Sequence, residues 1–115
     1  MASNCLFCKI AAGEIPSTRV YSDDELYAFR DINPSAPQHI LVIPRKHILS
    51  VAALEEDDGA LMGRLMLRAR KIAEQEGFAE DGFRCVFNTG VDGGQSVHHI
   101  HLHILAGRQL SWPPG

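Results

Sequence analysis

His99-Ile100-His101-Leu102-His103-Ile104-Leu105 is the stretch from which the rest of the chain can be read. Imidazole and aliphatic side chains alternate with the period of a β-strand. Three histidines therefore project from one face, and Ile100, Leu102 and Ile104 from the other. At a rise of ~3.3 Å per residue, neighbouring imidazoles on that face start ~6.6 Å apart. The aliphatic face suits burial against a core, which sets the register, and a one-residue slip would bury the imidazoles instead. Half of the chain's six histidines fall within these five residues, which points to a chemical site.

The loop just upstream contains Gly93, Gly94, Gln95 and Ser96. Paired glycines let a backbone turn its amides inward as a small anion-binding concavity. Beside imidazoles and a hydroxyl, such a concavity suits phosphate, and Asn88 offers a further neutral donor. Neutral imidazole is a good nucleophile toward phosphorus and a good leaving group afterwards. Its unperturbed pKa of ~6.5 keeps it largely neutral at cytosolic pH. His101, flanked on both sides, is the candidate nucleophile. His103 then donates to a phosphate oxygen, His99 sets the tautomer or supports the row, and Ser96 passes a proton to the departing group. A competing reading has the three imidazoles ligating zinc, with water in the fourth position. Against it stands the scarcity of supporting carboxylates nearby.

The remaining pattern predicts α+β architecture, an antiparallel sheet of about five strands with one long and one short helix. Cys5 to Ala12 reads as a short helix ending at Gly13. Val20 to Ser22 and Leu26 to Arg30 read as a hairpin, and His39 to Ile43 as a central strand stopped by Pro44. Glu56 to Glu76 carries a helical apolar stripe through Leu61, Leu65 and Ile72, with Gly77 at its end. The acidic run Glu55 to Asp58 reads as its solvated start, favoured by the helix dipole. Phe83 to Asn88 reads as a strand with Cys85 packed inside.

A chain of 115 residues with 45% hydrophobic residues suits one compact domain spanning 1–115. A net charge of −3 supplies no field for nucleic acid or anionic lipid, and the apolar runs are too short to cross a membrane. Met1-Ala2-Ser3-Asn4-Cys5 lacks the basic, apolar start of an export signal, and three cysteines is an odd number. The expectation is a cytoplasmic protein with reduced thiols.

The seven residues from His99 match the signature of the histidine-triad (HIT) superfamily, His-φ-His-φ-His-φ-φ. Asp31-Ile32-Asn33-Pro34, His39 to Pro44, Gly93 to Val97 and the ending Gly107 to Gly115 resemble its Hint branch, the purine nucleoside phosphoramidases. The resemblance runs from residue 5 to 115. It implies a HIT-like fold and hydrolysis of the P–N bond of purine nucleoside 5′-phosphoramidates, including adenylated amines such as lysyl-AMP, with AMP or GMP as the nucleotide. It implies a covalent nucleotidyl group on His101, His103 on the α-phosphate and Ser96 near the leaving amine. Gly94, Gln95 and Asn88 meet the phosphate in this scheme, and Asp31 accepts both ribose hydroxyls. Leu6, Phe7, Phe29 and Ile32 line the base pocket, and His39 stands behind the triad as a partner of His99.

The resemblance further implies a homodimer in which the two sheets join and the Trp112 tail reaches the partner's site. No catalytic cofactor is implied. Cys5 and Cys8 depart from many Hint proteins, but resemble a structural zinc set completed by His47 and His99 in some bacterial relatives. Two alternatives stay open. One is another HIT hydrolase or transferase, acting on dinucleoside polyphosphates or nucleotide-sugars. The other is a zinc-stabilised nucleotide-binding regulatory module with little turnover.

Overall fold

The structure, a computed structural model, describes residues 4–115. Met1, Ala2 and Ser3, part of the segment read for an export signal, lie outside the described residues. Helix α1 spans Leu6–Ala11, β1 Arg19–Ser22, β2 Leu26–Arg30 and β3 Gln38–Pro44. Helix α2 spans Gly59–Gln75, followed by β4 at Arg84–Val86 and β5 at Leu102–Ala106. The strands form one antiparallel sheet in the order β1-β2-β3-β5-β4. The expected α+β fold is the one observed.

Alternation along the strands divides the sheet's two faces between different tasks. Ile40 and Val42 of β3 and Leu102, Ile104 and Ala106 of β5 pack under α2 against Leu65, Ala69 and Ile72. The odd-numbered residues of β3, Leu41 and Ile43, join Phe29 beneath Phe7 and Ile10 of α1. The aliphatic face of the histidine stretch is thus the main core, and the histidines face the α1 side.

Four local expectations are corrected. Helix α2 begins at Gly59, after a 3-10 turn at Glu56–Asp58. Asp58 is buried rather than solvated, because its carboxylate accepts the Glu55 amide at 3.0 Å and pairs with Lys46 at 2.5 Å. Strand β4 covers only Arg84–Val86, although Cys85 and Phe87 do pack against the core. Strand β5 begins at Leu102, not His99. Upstream of it, Ile100 donates its N–H to the Ile48 carbonyl beyond the end of β3 (2.7 Å), which takes the segment off the ladder. Among the described residues, no helix is long and apolar enough to cross a membrane.

Candidate active site and metal cluster

Backbone and side-chain partners select the tautomer of each histidine. His101 Nδ1 donates to the His99 carbonyl at 2.8 Å, which leaves the lone pair on Nε2. The reverse arrangement holds at His103. The Ser35 amide donates to His39 Nδ1 (3.0 Å), so neutral His39 carries its proton on Nε2 and donates to His103 Nδ1 at 2.9 Å. That leaves His103 with an N–H on Nε2. Both rings line one cavity, with centroids 4.9 Å apart. One offers a lone pair, the other a proton donor.

His39 therefore stands behind His103, not His99, contrary to expectation. Leu41 pairs with His103 across the ladder, which sets His39 and His103 diagonally on one face, whereas His99 lies past the ladder's end. Asp31 Oδ2 lies 3.4 Å from His39 Nε2, while its Oδ1 accepts the Asn33 amide at 2.8 Å. His39 and His103 thus read as a hydrogen-bonded pair with the Asp31 carboxylate beside it rather than a metal site, because both His39 nitrogens are already engaged. The reading of His99, His101 and His103 as joint ligands of one ion is also corrected, since the His99 ring points into a different cluster.

Burial holds these rings neutral. It lowers the pKa of His101, opposed by the bond to the His99 carbonyl, and that of His39, opposed by Asp31. His103 falls to about 4, through burial first and then its histidine neighbours. The unfolded chain, with His near ~6.5, binds more protons between these values, so stability is lost as pH falls from about 6.5 toward 4. Melting temperatures across that range should decline for the native chain and less steeply for His103→Gln. Parallel slopes would remove His103 as the source.

The cavity, about 320 Å3, runs from His101 and His103 beneath α1. Leu6, Phe7, Phe29 and Ile32, the residues expected at a base pocket, all line it, as do Asp31 and Ser96. Phe7 meets His101 edge to face at 5.0 Å. Ile15, Leu41 and Val97 also line it and were missed from sequence. Leu41 was legible from its alternation with Ile40 and Val42, whereas Ile15 comes from a connection without periodicity.

The glycine loop departs from the anion concavity expected of it. The Gly94 and Gln95 amides are donated to the Val91 and Gly90 carbonyls, both at 3.0 Å. Asn88 Nδ2 donates to the Gly93 carbonyl (2.7 Å), and Gln95 Nε2 to the carbonyls of Leu49 (2.7 Å) and Val97 (3.0 Å). A Cβ at Gly93 would strike the Thr89 backbone, so the turn closes only around glycine. Asn88, Gly94 and Gln95 thus brace the loop that carries Ser96 to the cavity, and none of the three lines it.

Cys5, Cys8, His47 and His99 bring their donor atoms within 4.8 Å of one another, and neither cysteine is in a disulfide. The sulfur–nitrogen separations are 3.3 Å for Cys5–His99 and 3.5 Å for both Cys8–His47 and Cys8–His99. The two Nδ1 atoms lie 3.2 Å apart. A tetrahedral ion bonded at ~2.3 Å to sulfur and ~2.0–2.1 Å to nitrogen sets edges of roughly 3.5 and 3.3 Å, so the residues fit zinc. His99 Nε2 donates to the Pro44 carbonyl at 2.8 Å, which leaves its Nδ1 lone pair for the ion. With four protein ligands the ion would have no open position, and its chemistry would be structural. Cys5 also caps α1, accepting the Cys8 amide.

Comparison with known proteins agrees with this geometry. A model of the HIT domain matches residues 12–110. The chain is 49% identical over 115 residues to an uncharacterized HIT-like protein of Synechocystis, covering all of both chains. It is 51% identical to a 14 kDa zinc-binding protein of Zea mays, covering 98% of this chain and 89% of that one. A crystal structure of a HIT family hydrolase from Legionella pneumophila superposes with a TM-score of 0.96 at 55% identity, covering 97% and 100% of the two chains. A histidine triad protein from Clostridium difficile gives a TM-score of 0.93 at 50% identity, covering 95% of each. Fold, paired histidines and sequence together place this chain in the HIT family.

Proposed function

We propose that this chain is a nucleoside phosphoramidase of the Hint type, hydrolysing adenylated or guanylated amines at the P–N bond. One observation carries the reading. His101 and His103 face one cavity in opposite tautomers, a lone pair beside a proton donor, which simple nucleotide binding does not require.

In this mechanism His101 Nε2 attacks phosphorus while His103 Nε2–H holds a phosphate oxygen. The P–N bond breaks, its electron pair leaves with the amine nitrogen, and Ser96 supplies the proton. The nucleotidyl-imidazole keeps its proton on Nδ1, and the His99 carbonyl stabilises the positive ring. Water then attacks phosphorus, one of its protons returns to Ser96, and AMP leaves with neutral His101 restored. Incubation with adenosine 5′-phosphoramidate, read by AMP release and by intact mass, should show turnover and an AMP adduct on His101. AMP binding without turnover would favour the zinc-stabilised binding module that the Cys5–His99 cluster also accommodates.

The cavity supports Asp31 as the ribose ligand, since a carboxylate offers acceptors only. Asp31→Ala should lower kcat/KM for ribonucleotide substrates by roughly ten- to a hundredfold, the worth of one or two charge-assisted hydrogen bonds. A deoxy analogue already lacks part of that interaction and should lose less. Any loss common to both substrates reports the Asp31–His39 contact, and the ribo-specific excess reports the hydroxyls. A double cycle with no excess would remove Asp31 from the ribose site.

The same reading carries one HIT domain over 1–115, a cytoplasmic location and a homodimer. Arg84 holds the tail through the Ser111 carbonyl (2.8 Å), and Trp112 beyond it is 81% exposed. Three-residue β4 forms an outer edge of the sheet, and pairing there would cover unpaired backbone groups.

A further inference from the structure

A second cavity, about 490 Å3, adjoins the nucleotide cavity at Ser96. The two share Leu6, Ser96 and Val97, so Ser96 stands at their junction. We infer that this second cavity receives the amine-side substituent of the substrate and selects uncharged, partly apolar amines over cationic ones. The inference rests on the phosphoramidase reading and adds a specificity site to it.

The geometry of the junction supplies the first argument. In the proposed mechanism Ser96 protonates the departing nitrogen, so the substituent on that nitrogen lies beside Ser96, where both cavities meet. The wall there is built rather than incidental. Gln95 Nε2 ties the Leu49 and Val97 carbonyls together at 2.7 and 3.0 Å, fixing Leu49 beside the Ser96 loop.

Composition supplies the second argument. Leu6, Leu49 and Val97 line it together with Asn4, Ser96, His98 and the cluster residues Cys5 and His47, and among the described residues no Asp, Glu, Lys or Arg does so. Leu6 and Leu49 are 44% and 54% exposed, apolar surface that a bound apolar group would cover. An ammonium placed against it would lose hydration and gain no counter-ion. A phenyl or alkyl group would gain by burial. An adenylated amine with a free cationic end, lysyl-AMP among them, is therefore disfavoured.

Three adenosine 5′-phosphoramidates test this on the zinc-loaded protein: those of ammonia, benzylamine and 4-(aminomethyl)benzylamine. The last two match closely in shape and leaving-group basicity and differ by one ammonium. The native chain should process the benzylamine compound about tenfold more efficiently in kcat/KM than its cationic analogue. Leu49→Asp should abolish or reverse that ratio while the ammonia compound stays within about twofold. Leu67→Asp, on the opposite face of the sheet, adds the same charge and should leave the ratio unchanged. Equal treatment of both amines by the native chain, a ratio untouched by Leu49→Asp, or an equal response to Leu67→Asp would overturn the inference. In each case continued turnover of the ammonia compound leaves the phosphoramidase reading standing. No turnover of any of the three would overturn both.

Discussion

His101→Ala is expected to reduce turnover of an adenosine phosphoramidate by on the order of a thousandfold or more, while AMP still binds. Among the described residues, the ring removed is the only one whose partner leaves an Nε2 lone pair toward the cavity, because its Nδ1 proton is committed to the His99 carbonyl. The remaining contacts survive, since Asp31, Ser96, His103 and the apolar wall belong to other residues. The loss should therefore fall on kcat, with AMP affinity changed only by the missing edge-to-face contact with Phe7. The AMP adduct should disappear from the mass spectrum with it. His101→Ala with near-native rates would sink covalent catalysis at this residue. Loss of AMP binding along with turnover would instead assign His101 a structural role.

The second large effect concerns stability. Protein from a metal-replete culture should carry about one zinc per chain, and chelation should lower its melting temperature by roughly 10 °C or more. The four donors come from α1, the segment after β3 and the start of the histidine stretch, so one ion would staple three separate parts of the chain. Burial also pushes the Cys8 thiol up to about 11, aided by Cys5, so Cys8 resists ionising without a metal. A Cys5→Ser/Cys8→Ser variant should melt near the chelated protein and gain nothing from added zinc. Because protein ligands fill the tetrahedron, early-time turnover should suffer less than thermal stability. Elemental analysis finding no metal, or a double variant as stable as the native chain in zinc, would refute this assignment.

Sheet and helices are legible in the sequence because they are written in local periodicity. Strand β2 spans the predicted residues, and β3 differs by one residue at each end. Helix α2 follows its apolar stripe to within one residue at its end. The triad, the Cys5–Cys8 pair and the aliphatic face of β5 are likewise visible as spacing, and the HIT resemblance follows from them. The partners of those residues are not. His39 and His103 lie 64 residues apart and meet only through the register of β3 against β5. His99 has the spacing of a third active-site imidazole, yet the ladder starts after it, and its ring joins Cys5, Cys8 and His47 while its carbonyl orients His101. Gly94 and Gln95 look like phosphate donors until the folded loop consumes their amides internally. Side-chain direction is a property of neighbouring residues, but hydrogen-bond partners are shared out only when the whole chain has closed, and tertiary structure alone decides which nitrogen holds a proton and which holds a lone pair.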